Sequence, residues 1–451
     1  MRLTLVHPAI GRRPGQEYIR TWQMEPLPPA LIAGLTPRDV ELRFYDDRME
    51  AIPFDEPTDL VAMSVETYTA KRAYQIASEF RRRSVPVVVG GFHPTLCPDE
   101  AASFAESVVV GEAEQLWPRV IDDYRHQTPQ KFYRQEGRPP LRGATPDRRI
   151  FRGKRYLPIG LVEAGRGCHF KCDFCAVQTV FGARRTHRPA DEILAEVASL
   201  ARVRPLIFFV DDNVTSSLAD AKAFFRALIP LGVRWVSQAS IDAAHDEEFL
   251  DLLKRSGCQG VLVGFESLNA GNLEVMNKRF NLARGSYETA IENFRRFGIR
   301  LYATFMFGYD LDTLASFPET VDFAVRHRFY ITAFNHLTPF PGTELYRRLE
   351  SEGRMLFPAW WLDDGYSYNK VPFRPSRLTP EQVEQGCVDA RRRFYSWRSI
   401  LGRSVDPANR AGLFMFRNYF LINALIRADV NGRNHYPLGE EGWRGPMLRA
   451  V

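Results

Sequence analysis

Three cysteines within eight residues, Cys168, Cys172 and Cys175, carry the strongest chemical signal in the chain. They stand at CxxxCxxC spacing in Gly165-Arg166-Gly167-Cys168-His169-Phe170-Lys171-Cys172-Asp173-Phe174-Cys175, directly after the apolar run Ile159 to Ala164. Iron–sulfur clusters are usually closed by four protein thiolates, so a trio on one loop holds three irons of a cubane and leaves the last open to an outside ligand. A zinc loop is the alternative, but it wants four ligands in paired CxxC spacing, and His169 would have to serve from an adjacent position. Three ordinary buried cysteines are a further alternative, since free Cys is among the most buried residue types. The spacing favours the cluster.

Such a loop needs a frame that fixes it at one end of a sheet. From residue 159 onward apolar runs alternate with helical stretches, and six strands are expected: Ile159 to Ala164, Leu206 to Val210, Val233 to Ser240, Gly260 to Glu266, Ile299 to Phe307 and Tyr330 to Leu337. Between them apolar residues recur at helical spacing, as in Ile193, Leu194, Val197 and Leu200, and again in Phe249, Leu250, Leu252 and Leu253. This alternation predicts a parallel α/β sheet, and barrels of that kind gather their sites at the carboxyl ends of strands. Those ends carry Asp211-Asp212-Asn213, Gln238 and Ser240, Glu266, Phe307-Gly308 and His336. Buried polar residues are costly without partners, so their recurrence on consecutive strands predicts a polar ligand there. For any one of them, capping a helix or loop is the alternative. Asp211 and Asp212 also read as a divalent-cation pair, although no further carboxylate or histidine is spaced to complete oxygen ligation.

Residues 1–125 show the same alternation, with strands expected at Leu3 to His7, Glu41 to Asp46, Leu60 to Ser64, Pro86 to Gly90 and Ser107 to Gly111, and a helix over Thr69 to Arg83. In open α/β sheets ligands sit beyond the carboxyl ends of the strands. Here those ends carry His7, Ser64 with Thr67 and Tyr68, Gly90-Gly91 with His93, and Gly111-Glu112. Small residues beside polar ones suit close approach by a large ligand. His7 and His93 are candidates to line its pocket, the alternative for each being a structural hydrogen-bonder. Residues 126–158, rich in Pro, Arg and Gly, are expected to form a linker that also wraps the following domain. Residues 345–451 form a third region with an aromatic cluster from Trp360 to Tyr368, a helix around Glu381 to Ile400 and an apolar helix from Leu413 to Ile426. It reads as a cap on the open side of the barrel, or alternatively as a greasy channel or membrane-surface helix.

The cysteine loop, with aromatic Phe174 before its third cysteine, resembles that of the radical S-adenosylmethionine (SAM) enzymes. The resemblance implies a partial (β/α)6 TIM-like barrel over 159–344 and a [4Fe-4S] cluster on Cys168, Cys172 and Cys175. In that family the open iron chelates SAM, and the reduced cluster cleaves it to a 5′-deoxyadenosyl radical. It also implies that Asp211, Asp212 and Asn213 face SAM's amino group, that Gln238, Ser240 and Glu266 bond its ribose or carboxylate, and that Phe174 and the backbone at Phe307 and Gly308 cover adenine. Val87 to Thr95 followed by Val108 to Glu114 resembles the Rossmann-like cobalamin-binding domain ahead of the barrel in one class of these enzymes, which includes methyltransferases of unactivated carbon and bacteriochlorophyll and hopanoid biosynthesis enzymes. One departure stands out. Cobalamin domains that place a histidine on cobalt use DxHxxG, whereas the comparable loop here is Asp46-Asp47-Arg48-Met49-Glu50-Ala51, with Arg48 at the histidine's position. Cobalamin is then expected without a protein histidine, the alternative being a scaffold or substrate-positioning domain.

The expected activity is therefore methylation of an unactivated carbon of a small-molecule or lipid-like substrate, with methylcobalamin as methyl donor. The alternatives are a non-methylating radical cyclisation, oxidation or rearrangement, and an electron-transfer or sensing protein. An external donor such as flavodoxin or ferredoxin is implied. The 451 residues, 45% hydrophobic and 25% charged, are those of an ordinary globular protein. Six cysteines and a thiolate site predict a reducing, cytoplasmic setting. No apolar run is long enough to cross a bilayer. The formal charge of +6 is scattered over short arginine runs that read as solvated helix faces, so nucleic-acid binding is not expected.

Overall fold

Near-continuous Val, Leu and Ala runs, buried on both faces, build the first sheet of the structure, a computed structural model that describes residues 1–18, 23–432 and 434–449. Its strands are β1 (Arg2–His7), β2 (Glu41–Asp46), β3 (Leu60–Ser64), β4 (Val87–Gly90), β5 (Ser107–Val110) and β6 (Phe132–Arg134). All pair in parallel, in the order β2-β1-β3-β4-β5-β6. The order reverses between β1 and β3, and at such a switch point the crossing connections leave open a crevice beyond the strand ends, here at His7 and Ser64. The expected strands all form, and the helix expected over Thr69 to Arg83 is α1 (Ala70–Arg82).

Two expectations change. Residues 126–158 are not a bare linker: they supply the edge strand β6 and a short turn, Arg148–Phe151, whose Phe151 ring meets Phe44 edge-on at 5.6 Å. Only Tyr133 of β6 is buried, so the strand has too few apolar positions to announce itself. Residues 345–451 are not one cap either. The first of two compact units consists of Met1–Leu157, Ala359–Tyr368 and His435–Val451. In it Trp360 packs 4.8 Å from Tyr68, Trp361 Nε1 donates to Glu100 at 2.9 Å, and Gly439–Glu440 runs parallel to Gly11–Arg12.

The second unit, Pro158–Pro358 with Asn369–Asn434, holds β7 (Ile159–Val162), β8 (Leu206–Phe209), β9 (Trp235–Ala239), β10 (Cys258–Glu266), β11 (Arg300–Phe307) and β12 (Ile331–His336). They lie in parallel and in chain order, as six consecutive βα units require. Burial alternates along the strands. Phe209, Trp235, Val263, Phe305 and Phe334 face the helices and form the core, while Phe208, Val236, Gln238, Leu262, Thr304 and Met306 on the other face are only half-buried. Helix starts follow local chemistry: Asp246 accepts from Phe249 N at 2.9 Å, and at the start of α2 (Glu344–Ser351) Thr343 accepts from Tyr346 N at 3.1 Å. The helix expected over Glu381 to Ile400 is two, α3 (Pro380–Phe394) and α4 (Trp397–Ser404), because Ser396 leaves helical backbone and caps the second. The last helix is α5 (Leu413–Asp429).

One buried ion pair ties the first unit together. Arg72, 4% exposed, donates to both oxygens of Asp47 at 2.8 Å and to Glu440 at 2.6 Å. Arg72→Ala leaves Asp47 buried without its cation, and such losses cost about 3–5 kcal/mol. A drop of that order in the first unit's unfolding free energy, read by chemical denaturation, is the expected result.

Candidate active site

The cysteine loop follows β7 and lies beside the loop that follows β8, residue against residue. Asp211 accepts from Ala164 N at 2.8 Å, Asp212 from Gly167 N at 2.7 Å, and Asn213 Nδ2 reaches Cys168 Sγ at 3.5 Å. Ser216 Oγ accepts from His169 N at 3.0 Å. The far side of the loop is held by other elements. Asp173 N donates to Met276 O at 3.2 Å, Tyr309 O–H donates to Asp173 Oδ1 at 2.6 Å, and Leu345 N donates to Asp173 O at 3.0 Å. Phe170 stacks on Phe280 with centroids 3.5 Å apart.

Asp211 is therefore a brace for the loop: it is 1% exposed, and its second oxygen takes Arg185 at 2.9 Å. Burial raises its pKa to about 6 against the pull of Arg185. This corrects the expectation that its carboxylate faces SAM's amino group. Asp212 spends an oxygen on Gly167 N in the same way. Asn213 also contacts Thr215, and Ser240 Oγ lies 2.8 Å from Thr215 Oγ1. Gln238 donates to the Asp211 carbonyl at 3.3 Å.

Glu266 ends β10 in the left-handed region, φ +61°, after a break in register. Its carboxylate holds Lys278 Nζ at 2.6 Å, which also donates to Gly264 O at 2.9 Å. Burial works against the Lys278 ammonium, but Glu266 and then Cys172 outweigh it and its pKa is raised. Sequence inspection missed Lys278, which no motif or period marks; the helical turn between it and Glu266 brings it back to the strand end. Phe307 is a core residue stacked on Phe317, and Gly308 N donates to Asp312 at 2.9 Å, so that amide is already engaged within the fold. His336 is buried, and its pKa is lowered to about 4 by burial and then by Arg391. Phe174 is half-buried against the core edge.

The donor set fits a polynuclear cluster. Burial pushes the Cys172 thiol up to about 12, with Lys278 opposing, and raises Cys175 as well, so in the bare fold both sulfurs favour the proton that a metal centre would replace. Among the described residues no three His, Cys, Asp or Glu side chains converge on a single-ion position. A cubane instead takes each thiolate on its own iron. The half-buried inner face of the sheet continues from there in register: Gln238 beside Leu262 beside Tyr302 beside Ile331, then Gly264 beside Thr304 beside Ala333, then Met306 beside Asn335. Mostly apolar with few polar groups, it has the composition of a small-molecule site.

In the first unit, His7 ends β1 at the switch point, its Nδ1 buried and without a hydrogen-bond partner. Burial, then Arg48, lowers its pKa to about 4 against Asp46 and Asp47, so the ring is neutral. Arg48 folds back on Asp46 at 2.6 and 2.9 Å and supplies no ligand from the loop after β2. Other expected pocket residues are buried or have protein partners. His93 is fully buried on Glu100 at 2.9 Å, Glu112 pairs with Arg138 at 2.7 Å, and Thr67 is buried. Tyr68 is clasped between Trp360 and Tyr368. Gly91 and Gly111 have φ of +102° and +93°, and a Cβ on Gly91 would lie 3.0 Å from Ser64 Oγ and from the Val65 backbone. Gly90 lies against Val109. These small residues bring the strand ends together.

Residues 162–324 match the model of the Radical SAM superfamily. The chain is similar to bacteriochlorophyllide d C-12(1)-methyltransferase of Chlorobaculum tepidum, with 31% identity over 84% of each chain. It is also similar to bacteriochlorophyllide d C-8(2)-methyltransferase of the same organism, at 27% identity over 83% of this chain and 86% of that one. Its fold is that of the radical S-adenosylmethionine methyltransferase TsrM from Kitasatospora setae: TM-score 0.64, 17% identity, 96% of this chain and 99% of that one covered.

Two consequences can be measured. A Cβ on Gly264 would meet Glu266 Oε1 at 2.1 Å and Lys278 Nζ at 2.6 Å, so Gly264→Ala must part the buried pair. A loss of about 3 kcal/mol in unfolding free energy is expected. Asp211 titrates at 3.8 unfolded and about 6 folded, so within that window the native state binds the extra proton. Stability therefore falls as pH rises through the window and levels off above it. Relative to Asp211→Asn, the wild-type chain should show that decline in pH-dependent denaturation.

Proposed function

We propose a function from one premise: the chain belongs to the radical SAM superfamily, in the family of the bacteriochlorophyllide d C-12(1)-methyltransferase. It is a radical SAM enzyme that methylates carbon in a small, largely apolar molecule, using a [4Fe-4S] cluster, SAM and cobalamin. The observation that carries this is the cysteine loop itself, fixed at residues 164, 167 and 168 by three consecutive residues of the next strand's loop. When bound, the cluster supplies the electron for SAM cleavage and cobalamin carries the methyl group.

The chain's own residues bind and orient. Cys168, Cys172 and Cys175 hold the cluster, and Lys278 sets a buried positive charge beside the thiolates. Gln238, Ser240 and Asn213 offer polar atoms at the sheet's carboxyl edge, where SAM would lie. The apolar inner face, with Leu262, Tyr302 and Met306, suits a large flat or greasy substrate, and a bacteriochlorophyllide-type tetrapyrrole is the first to test. The neutral His7 and the strand ends at the first sheet's switch point are the wall proposed for cobalamin, with no histidine from the Asp46–Glu50 loop. An external flavodoxin or ferredoxin in a reducing cytoplasm would supply electrons.

The test is turnover by anaerobically reconstituted protein with hydroxocobalamin, methyl-labelled SAM, a reductant and bacteriochlorophyllide d. Label in the pigment product is expected. Release of 5′-deoxyadenosine with a modified but unlabelled product would overturn methylation and leave the radical chemistry standing. Cys172→Ala should lose the cluster's broad visible absorption and all SAM cleavage; activity surviving in that variant would sink the assignment of the loop.

A further inference from the structure

Helices α4 and α5 of the second unit leave a group of large apolar side chains in solvent. Trp397, Leu401 and Val405 are 51%, 57% and 51% exposed, spaced by four along one side of α4 and just past its end. On α5, Leu413, Leu421 and Leu425 are 72%, 43% and 39% exposed. The inner sides of both helices are already satisfied. Ile400 and Arg403 are buried, as are Met415, Tyr419 and Asn423, and Tyr419 O–H donates to Ile400 O at 2.7 Å. The guanidinium of Arg427 lies 5.8 Å from the Trp397 ring centroid, so the two exposed stripes adjoin. Single exposed apolar residues need no explanation. Here six of the thirteen large apolar side chains exposed among the described residues fall within 397–425, and a group of that kind marks an interaction site.

Four of the five exposed charges between residues 397 and 429 are positive, Asp429 being the exception. Arg398, Arg410, Arg417 and Arg427 are exposed, while the neighbouring acids are Asp406, buried on Arg295 at 3.1 Å, and Asp429 at the last position of α5. From this combination we propose that α4 and α5 form a docking face for the surface of an anionic lipid bilayer. Leucine and tryptophan enter the boundary between headgroups and acyl chains, and arginines reach back to lipid phosphates. A second copy of the chain fits less well, since a two-fold contact would press this arginine-bearing patch against an identical one. Nor does the face span a membrane: no helix among the described residues is long and apolar enough to cross one.

The experiment is co-sedimentation of the reconstituted full chain with vesicles of phosphatidylcholine alone and of phosphatidylcholine with phosphatidylglycerol. Binding to the anionic vesicles, weakened by added salt and at least tenfold stronger than to neutral ones, is expected. Leu421→Glu with Leu425→Glu, and separately Arg398→Glu with Arg417→Glu, should each lower it tenfold or more while the far-ultraviolet dichroism stays that of wild type. Failure to sediment with either vesicle, equal binding to both, or unchanged binding by both folded variants would overturn the proposal. So would a concentration-dependent dimer, seen by analytical ultracentrifugation, that the Leu421→Glu, Leu425→Glu chain cannot form.

Discussion

Two thiols of the cysteine loop, Cys172 and Cys175, held where burial opposes their ionisation, are the constraint on which the second unit turns. A thiolate in a dry site is stable only beside positive charge, and at Cys172 it is Lys278 that opposes burial. That is too little to overcome burial. The loop is therefore built for a centre that brings its own charge, and its backbone is fixed beforehand by neighbours, of which Asn213 also reaches a sulfur, that of Cys168. Ala164, Gly167, His169 and Asp173 are each bonded by a different side chain or main-chain group. The cost of ordering the loop falls on the fold, and metal binding then need not supply it.

The Glu266–Lys278 pair shows what placing that charge requires. A non-glycine residue in the left-handed region carries a cost of order 1 kcal/mol or more, kept only where surroundings enforce it. Here the enforcement is visible: the register slips between Gly264 and Glu266, Lys278 bonds both the Glu266 carboxylate and the Gly264 carbonyl, and Asn281 donates to the Gly264 and Phe265 carbonyls at 3.0 and 3.2 Å. The strand end is bent around one ammonium group. A lysine there without the carboxylate would tend to lose its proton on burial, so the pair preserves a cation that the thiolates can feel.

The elements were legible because their signals are local. Apolar runs of four to nine residues between helical periods mark every strand of both sheets except the edge strand β6, and the cysteine spacing marks the loop. Side-chain destinations were not. Asp211, Asp212, His93 and Glu112 were placed at the right strand ends, yet Asp211 and Asp212 brace the cysteine loop while His93 and Glu112 bond Glu100 and Arg138. A sequence tells which residues lie at an edge. It does not tell which of them the backbone's own donors will claim first, and a buried N–H takes precedence because leaving it unpaired is costly. Lys278 was invisible for the converse reason: its role is fixed by a turn that returns it to β10.

The division of the C-terminal region has a consequence for how the first unit closes. Asp47 and Arg72 lie among its early elements, but the third member of their network, Glu440, comes some 370 residues later, on a strand that pairs with Gly11–Arg12. Tyr68 and Glu100 likewise wait for Trp360 and Trp361. Domains generally fold as they emerge, amino-terminal first, yet here the sheet can form early while its aromatic cover and its last ion pair cannot. Until the end of the chain arrives, Arg72 has Asp47 but not Glu440, and the Tyr68 and His93 loops lack the rings that enclose them. The unit that opens the sequence thus depends, for its last ion pair and for the rings around Tyr68 and His93, on segments that follow the cysteine-bearing sheet.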